Sequence, residues 1–302
     1  MQTIINILTD GTSLGLIWSL MALGVFISFR VLDFADLTVE GSITLGSNIA
    51  VMLILANVPA ILATIIAIIG GFASGIITGL LHTKLKIPAI LSGIITLTAL
   101  YTINLSIMGG AHKYLGSSST IYTFFREMIS NQILAKILTT FIVVLIVFYI
   151  LYWFFGTEIG MSIRATGMNQ KMAKAQGINT DLKIILGLAI GNALIALSGA
   201  LYAQSSKGAT MDFGKGTIVV GLSAIIIGEG IFGKRSFRNC LISVILGSIV
   251  YQLLIGIAIS LDLNPDSLKI LIAALITIIL AYPLIKQKYK SKQKNKEAMK
   301  HA

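Results

Sequence analysis

The strongest constraint on this chain is a succession of apolar stretches, each close to 20 residues long and almost free of charge. Hydrophobic residues make up 56% of the 302 residues and charged residues only 12%, whereas a soluble domain is about 25% charged. A helix needs about 20 apolar residues to cross the hydrocarbon core of a bilayer. Lipid offers no partners to backbone groups, so such stretches must be helical. The sequence therefore predicts an all-α, polytopic transmembrane helical bundle.

We expect about nine membrane segments. The second and seventh are short and contain glycine, so we expect them to be broken or partly re-entrant. Residues 1–285 would form the transmembrane domain, and 286–302 a basic, disordered cytoplasmic tail. The predicted segments are 4–29, 42–57, 59–81, 88–108, 133–155, 184–204, 216–232, 239–260 and 268–285.

A polar island, Gly160 to Lys183, interrupts the apolar sequence between two of these segments. It carries Arg164, Lys171, Lys174 and Lys183 against one acid, Asp181. Its small residues predict one short helix that ends at Gly177. The island is either an ordinary basic inner loop or a surface for a cytoplasmic partner.

The distribution of Lys and Arg predicts the orientation. Placing the island and the tail inside the cell puts most of the 23 basic residues on the inner side. The N-terminus is then outside and the C-terminus inside, with the acidic connection Asp262–Asp266 outside. Lys207 and Lys215 fall on the outer side, against this rule.

Glycines at a spacing of four residues predict close helix packing. Gly71, Gly75 and Gly79 lie on one face of the third segment, and Gly187 and Gly191 on one face of the sixth.

Polar residues inside the apolar segments are candidates for a transport pathway, because such groups are costly in a membrane and usually face a cavity or a partner. Asp33 and Asp36 precede the second segment and are interpreted as cap or interface residues, with Thr38 or Ser42 as the helix cap. Glu229 is expected to form an ion pair at a membrane edge. The pathway candidates are Glu40, Ser42, Thr44, Asn48, Asn104 and Asn192, each of which could equally hold helices together.

Several kinds of site are missing from the sequence. There is no phosphate-binding loop of the Gly-x-x-x-x-Gly-Lys-Ser/Thr type, so we expect no ATP hydrolysis by this chain. His82, His112 and His301 have no metal-ligand spacing, and Cys240 is the only cysteine. We expect no bound metal and no enzymatic activity, and the net charge of +11 needs no nucleic acid to explain it.

Four motifs resemble the permeases of ABC importers for branched-chain amino acids and ribose. They are Arg164-Ala-Thr-Gly-Met-Asn169, AKAQGINTD over Ala173–Asp181, Gly191 followed by Ser198-Gly-Ala-Leu201, and Asp36-Leu-Thr-Val-Glu-Gly-Ser42. The last is most similar to a bacterial subgroup associated with tryptophan or tyrosine uptake.

This resemblance implies a subunit that forms the translocation pathway in the bacterial cell membrane. Its expected partners are an ATPase that binds ATP and Mg²⁺, an extracytoplasmic substrate-binding protein and a second permease copy. The island, within a coupling loop over 156–183, would contact the ATPase. The coupling residues are Arg164, Ala165, Gly167, Asn169, Lys171, Ala173, Lys174, Gly177, Ile178 and Asn179.

Two other functions remain open at this point. A secondary transporter driven by an ion gradient would need a deeply buried acid, for which Glu40 is the candidate. An ABC permease for a sugar or a nucleoside would share the coupling loop and differ in the pathway. The resemblance implies an amino acid, possibly an aromatic one.

Overall fold

The computed structural model describes residues 2–123, 132–260 and 277. Within them, seven helices are long and apolar enough to cross a membrane, and an eighth apolar helix, Val39–Leu55, is shorter. The helices are α1 (Gln2–Val25, continued by a π-helix over Phe26–Val31), α2 (Val39–Leu55), α3 (Ala60–Thr83), α4 (Ala89–Met108), α5 (Gln132–Gly156), α6 (Glu158–Met168), α7 (Gln170–Ala175), α8 (Thr180–Ser206), α9 (Thr217–Phe232) and α10 (Phe237–Ser260).

These helices confirm the predicted helical membrane bundle. The first eight predicted segments fall on apolar helices, with boundaries shifted by a few residues. Helix α8 begins at Thr180, so the last residues of the polar island already belong to it. The predicted ninth segment, the connection Asp262–Asp266 and the basic tail lie outside the described residues. The orientation stays a prediction.

Helices α1 and α8 form the centre of the bundle. In their most apolar stretches, 72% and 78% of the residues are buried inside the protein, against 28–39% in the other five long helices. The two central helices run antiparallel. Gly24 of α1 lies against Gly191 of α8, and farther along, Ser198 donates a hydrogen bond to the carbonyl of Ile17 at 2.8 Å.

The predicted glycine packing is confirmed on α3. A Cβ atom on Gly75 would overlap the backbone of Leu188, and one on Gly79 would come within 2.8 Å of the Cα of Ile185. Gly71 faces Asn192 in the same way. Three successive turns of α3 therefore present bare backbone to α8, which lets the two helices approach closely.

The prediction that the second and seventh segments are broken is wrong, since α2 and α9 are each continuous. Their glycines fit neighbouring helices instead of interrupting the helix: Gly46 faces Ala196, and Gly221 faces Met21 and Val25. The irregular chain lies before each helix, over 32–38 and 211–216.

Two short strands depart from a purely α-helical chain. His112–Tyr114 (β1) pairs antiparallel with Gly208–Thr210 (β2), with His112 opposite Thr210. Three residues are too few to show an alternating sequence pattern, so the sequence does not reveal them. The β1–β2 pairing holds the residues after α4 against the residues after α8.

Candidate functional site

The amide of Asn192, near the middle of α8, joins three segments by hydrogen bonds. Ser42 of α2 donates to Asn192 Oδ1 at 2.7 Å. Asn192 Nδ2 donates to Asp36 Oδ2, also at 2.7 Å, and Ser42 further bonds Ser74 of α3 at 2.8 Å. All four side chains are buried. This network places the start of α2 beside the middle of α8.

Asp36 has a larger role here than the predicted cap or interface residue. Its second carboxylate oxygen accepts the backbone N–H of Thr38 at 2.9 Å, which turns the chain into α2. Thr38 holds the predicted N-cap position of α2 but makes no side-chain capping bond, and Ser42, the other predicted cap, lies inside the helix. Asp36 thus fixes both the turn and, through Asn192, the position of α2.

The N-terminal ends of α2 and α9 meet at Glu40. Its carboxylate accepts the backbone N–H of Gly216, the residue before α9, at 2.9 Å. A Cβ atom on Gly214 would overlap the Glu40 carbonyl and the Thr44 hydroxyl. Neither helix has a side-chain cap bond from its own N-cap residue. One carboxylate therefore lies at the positive ends of two helix dipoles.

Helices α2 and α9 extend from the Glu40 junction in opposite directions. Helix α2 follows the second half of α8, where Ala50 packs with Ala200. Helix α9 follows the end of α1, from Val25 beside Gly221 to Arg30 beside Glu229. Because α1 and α8 are antiparallel, α2 and α9 diverge. Helices that point their N-termini at a common centre are typical of transporter sites.

A cavity of about 340 Å³ opens beside this junction, between α2, α4 and the 3₁₀ turn Met211–Gly214. Glu40, Thr44, Asn104 and Lys215 provide polar walls, and Leu97, Tyr101 and Met211 provide apolar ones. Of the pathway candidates, Glu40, Thr44 and Asn104 line this cavity. Ser42 and Asn192 belong to the buried network instead, and Asn48 lies behind the wall, with Nδ2 at 3.5 Å from the Asn104 carbonyl and from the Met211 sulfur.

Asn104 contributes an acceptor that has no hydrogen-bond partner among the described residues. Its Nδ2 donates to the carbonyl of Gly41 at 3.2 Å, and since a carbonyl can only accept, this bond fixes which side of the amide faces it. Asn104 Oδ1 is then left buried and unpaired. The Asn104 side chain is 1% exposed and lines the cavity. Its unpaired Oδ1 is therefore suited to accept a hydrogen bond from a ligand.

The sequence did not point to Tyr101, Met211, Asp212 or Lys215 as site residues. Lys215 forms an ion pair with Asp212 at the cavity rim. The sequence feature that could have suggested these residues is the presence of Asp212 and Lys215 directly before a short apolar segment. Their position beside α4 depends on the β1–β2 pairing, which the sequence does not show.

The polar island forms two helices, so the prediction of a single short helix is wrong. Asn169 separates α6 from α7, with an extended backbone and a side chain that accepts the N–H of Met172 at 3.1 Å. Thr157 and Asn179 cap α6 and α8 in the same way. A helix N-terminus favours Thr and Asn because their oxygens satisfy its free N–H groups.

Gly177 ends α7, as predicted. It has a φ of +78°, a conformation that glycine adopts without steric cost. Its N–H bonds the Lys174 carbonyl at 3.0 Å, and the N–H of Ile178 bonds the Ala173 carbonyl at 3.1 Å. These two bonds form a Schellman motif. They explain why the island closes with the sequence Gly-Ile-Asn, in which Asn179 begins the next helix.

The predicted coupling residues divide between a packed side and an exposed side of the α6–α7 unit. Gly167 packs on Val31, at the end of the π-helix, where a Cβ atom would overlap the Val31 carbonyl. Ala173 is buried, and Ala165 and Ile178 are half-buried. Arg164, Asn169, Lys171, Lys174, Gly177 and Asn179 are exposed.

Two methionines on the exposed side were missed from the sequence. Met168 and Met172 are 88% and 63% exposed, and they stand among Lys171 and Lys174. Flexible methionines are common on surfaces that bind partners. We call Met168, Lys171, Met172 and Lys174 the exposed α6–α7 surface.

No group of three His, Cys, Asp or Glu side chains suited to a metal occurs within residues 2–123 and 132–260. The cavity between α2, α4 and the 3₁₀ turn offers hydrogen-bonding groups and charges. This arrangement fits the binding of a small polar molecule.

Several known proteins are similar in sequence to this chain. A tyrosine transport system permease protein of Clostridioides difficile (strain R20291) is 38% identical over 281 residues, 93% of this chain and 91% of that protein. An uncharacterised protein of Rickettsia prowazekii (strain Madrid E) is 30% identical over 282 residues, 91% and 97%. A galactose/methyl galactoside import permease of Escherichia coli (strain K12) is 24% identical over 234 residues, 77% and 69%. No solved structure matches the chain significantly.

The family described as "Branched-chain amino acid transport system / permease component" matches residues 7–281, almost the whole chain. The seven long apolar helices agree with such a protein. The chain belongs to this family and is a permease component of an ABC transport system, a multi-pass protein of the bacterial cell membrane.

Proposed function

We propose that this permease forms the pathway of an ATP-driven importer for an amino acid, an aromatic one such as tyrosine. The similarity to a tyrosine transport system permease over nine-tenths of both chains supports this substrate class. The galactoside permease is more distant, at 24% identity, which disfavours a sugar.

The observation that carries the proposed mechanism is the way the α6–α7 unit is built. One side contacts the end of α1 through Gly167 and Val31 without an intervening side chain. The other side presents the exposed α6–α7 surface. A separate ATPase subunit, which binds ATP and Mg²⁺, docks on that surface. A rigid movement of the ATPase then passes directly to a central helix of the bundle.

A second permease copy completes the pathway. The cavity opens along α4, where Thr98 and Tyr101 are exposed. An opening that contains a carboxylate and an amide is costly against lipid, so we propose that the partner copy covers this face. An extracytoplasmic binding protein delivers the substrate from the other side of the membrane.

Purification and reconstitution test this function. We expect an ATPase subunit to co-purify with the chain, and ATP to drive L-tyrosine uptake into proteoliposomes that contain both proteins and the binding protein. A variant of the ATPase that cannot hydrolyse ATP is the control and should abolish uptake. Uptake by the permease alone, driven only by an ion gradient, would refute the proposal.

A further inference from the structure

We infer that the cavity between α2, α4 and the 3₁₀ turn is a binding site for the zwitterionic end of an aromatic amino acid, with its ammonium group on Glu40 and Asn104. The inference rests on the proposed function and assigns the atoms that recognise its substrate. It is built from three features of the cavity: its free acceptors, the charges around it and its apolar walls.

The cavity offers acceptors in excess of donors. Glu40 uses one carboxylate oxygen to accept the Gly216 N–H. Asn104 Oδ1 has no partner among the described residues, and its orientation is fixed by the bond from Nδ2 to Gly41. The hydroxyl of Thr44 is already engaged, because it donates to the Glu40 carbonyl at 2.9 Å. A primary ammonium, with three N–H donors and no acceptor, complements such a set.

The charges around the cavity favour a zwitterion over a simple amine. Lys215 lies on the rim and already binds a carboxylate, that of Asp212. The N-termini of α2 and α9 add partial positive charge at the same place. Glu40 and Lys215 line the same cavity, so a ligand whose ammonium meets Glu40 can turn its carboxylate toward Lys215.

The remaining walls fit an apolar or aromatic side chain. Leu97, Tyr101 and Met211 line the cavity beside its polar groups. Aromatic rings favour contact with another ring and with the sulfur of methionine. The volume of about 340 Å³ lies at the small end of ligand pockets, which measure about 300–1,000 Å³. A single amino acid suits this size better than a peptide.

The test is equilibrium binding of radiolabelled L-tyrosine to the purified full-length chain in lipid nanodiscs, without ATPase or binding protein. We expect Glu40→Gln to weaken binding about tenfold or more, because a hydrogen bond between charged groups is lost. Asn104→Leu should weaken binding several-fold. The amide of Glu40→Gln can still accept the Gly216 N–H, so the junction of α2 and α9 is preserved. Asp10→Asn, which removes an exposed acid on α1, is the matched control and should bind as the unmodified chain does.

Two analogues with a single charge separate the roles of the groups. Tyramine lacks the carboxylate, should compete with L-tyrosine in the unmodified chain and should lose this ability in Glu40→Gln. Para-hydroxyphenylpropionate lacks the ammonium and should compete poorly. The inference is overturned if the unmodified chain shows no saturable binding, if Glu40→Gln and Asn104→Leu both bind normally, or if the propionate competes as well as tyramine.

ATP-driven uptake by the assembled transporter is measured in parallel. Normal uptake together with unchanged binding in both Glu40→Gln and Asn104→Leu would refute the cavity site and leave the proposed function standing. The absence of ATP-driven L-tyrosine uptake by the unmodified transporter would refute the proposed function itself.

Discussion

The guanidinium of Arg30 donates to both carboxylate oxygens of Glu229, at 2.9 Å from Nε and 2.5 Å from Nη2, and so joins the end of α1 to the end of α9. An ion pair for Glu229 was predicted, and the structure identifies its partner. The π-helix that carries Arg30 also carries Val31, on which Gly167 of α6 packs. Helix α9, in turn, begins at the Glu40 junction. The Arg30–Glu229 pair therefore lies between the α6–α7 unit, which contacts Val31, and helix α9, whose other end lies at the cavity.

Breaking this pair should uncouple ATP hydrolysis from transport. We expect Arg30→Gln to lower substrate uptake per ATP hydrolysed several-fold in the reconstituted transporter. The helices should remain folded, because the Arg30 side chain is half exposed and water screens the pair. The double variant Arg30→Glu, Glu229→Arg should recover part of the lost ratio. An unchanged ratio in Arg30→Gln would show that the pair does not transmit movement.

Reversing the charge of the exposed α6–α7 surface should weaken ATPase association. Lys171→Glu combined with Lys174→Glu changes only exposed side chains and should reduce co-purification of the ATPase at least several-fold at low salt. These lysines are better targets than Arg164, whose guanidinium lies 4.7 Å from the ring centre of Phe237 and so also packs. Lys113→Glu on β1 is the control, expected to leave association intact. Equal recovery of the ATPase with both variants would count against this docking surface.

Removing the Asn192 amide should destabilise the permease strongly. Asn192→Leu leaves the buried carboxylate of Asp36 and the hydroxyl of Ser42 without this partner. We expect a loss of about 2–3 kcal/mol in the free energy of unfolding, because two buried polar side chains lose a hydrogen-bond partner. Ser42→Ala, which removes a hydroxyl and keeps the Asn192–Asp36 bond, should cost only about 1 kcal/mol. Thermal unfolding in detergent compares the two, and equal midpoints would contradict the central role of Asn192.

A methyl group on the glycine face of α3 should separate α3 from α8. Gly75→Ala places a Cβ atom against the Leu188 backbone, and overpacking of this kind costs about 1–3 kcal/mol. Gly110→Ala is the matched control, since no atom lies within 4 Å of its Cβ position. The expected result is a lower unfolding temperature for Gly75→Ala alone. If Gly75→Ala and Gly110→Ala unfold at the same temperature, the close approach of α3 and α8 is not needed for stability.

Local sequence was sufficient for the features that depend on neighbouring residues. The charge-free stretches predicted the membrane helices because lipid leaves backbone groups no other partners. The glycine spacing on α3 predicted a close approach of another helix, though not that this helix is α8. Gly177 marked the end of a helix that needs a positive φ. The motifs around Arg164 and Asp36 indicated the permease family, which the relatives bear out.

Only the tertiary structure decided which of the polar candidates share a site. Ser42, Thr44 and Asn48 lie within two turns of α2, yet Ser42 bonds Asn192, Thr44 lines the cavity and Asn48 lies behind its wall. Side chains on successive turns point toward different neighbours, and these neighbours lie far away in the sequence: Asn104 is 56 residues from Asn48, and Asn192 is 150 residues from Ser42. The meeting of Glu40 with Gly216, 176 residues apart, is set by how α1 and α8 pack in opposite directions. No local pattern encodes that contact, and the cavity depends on it.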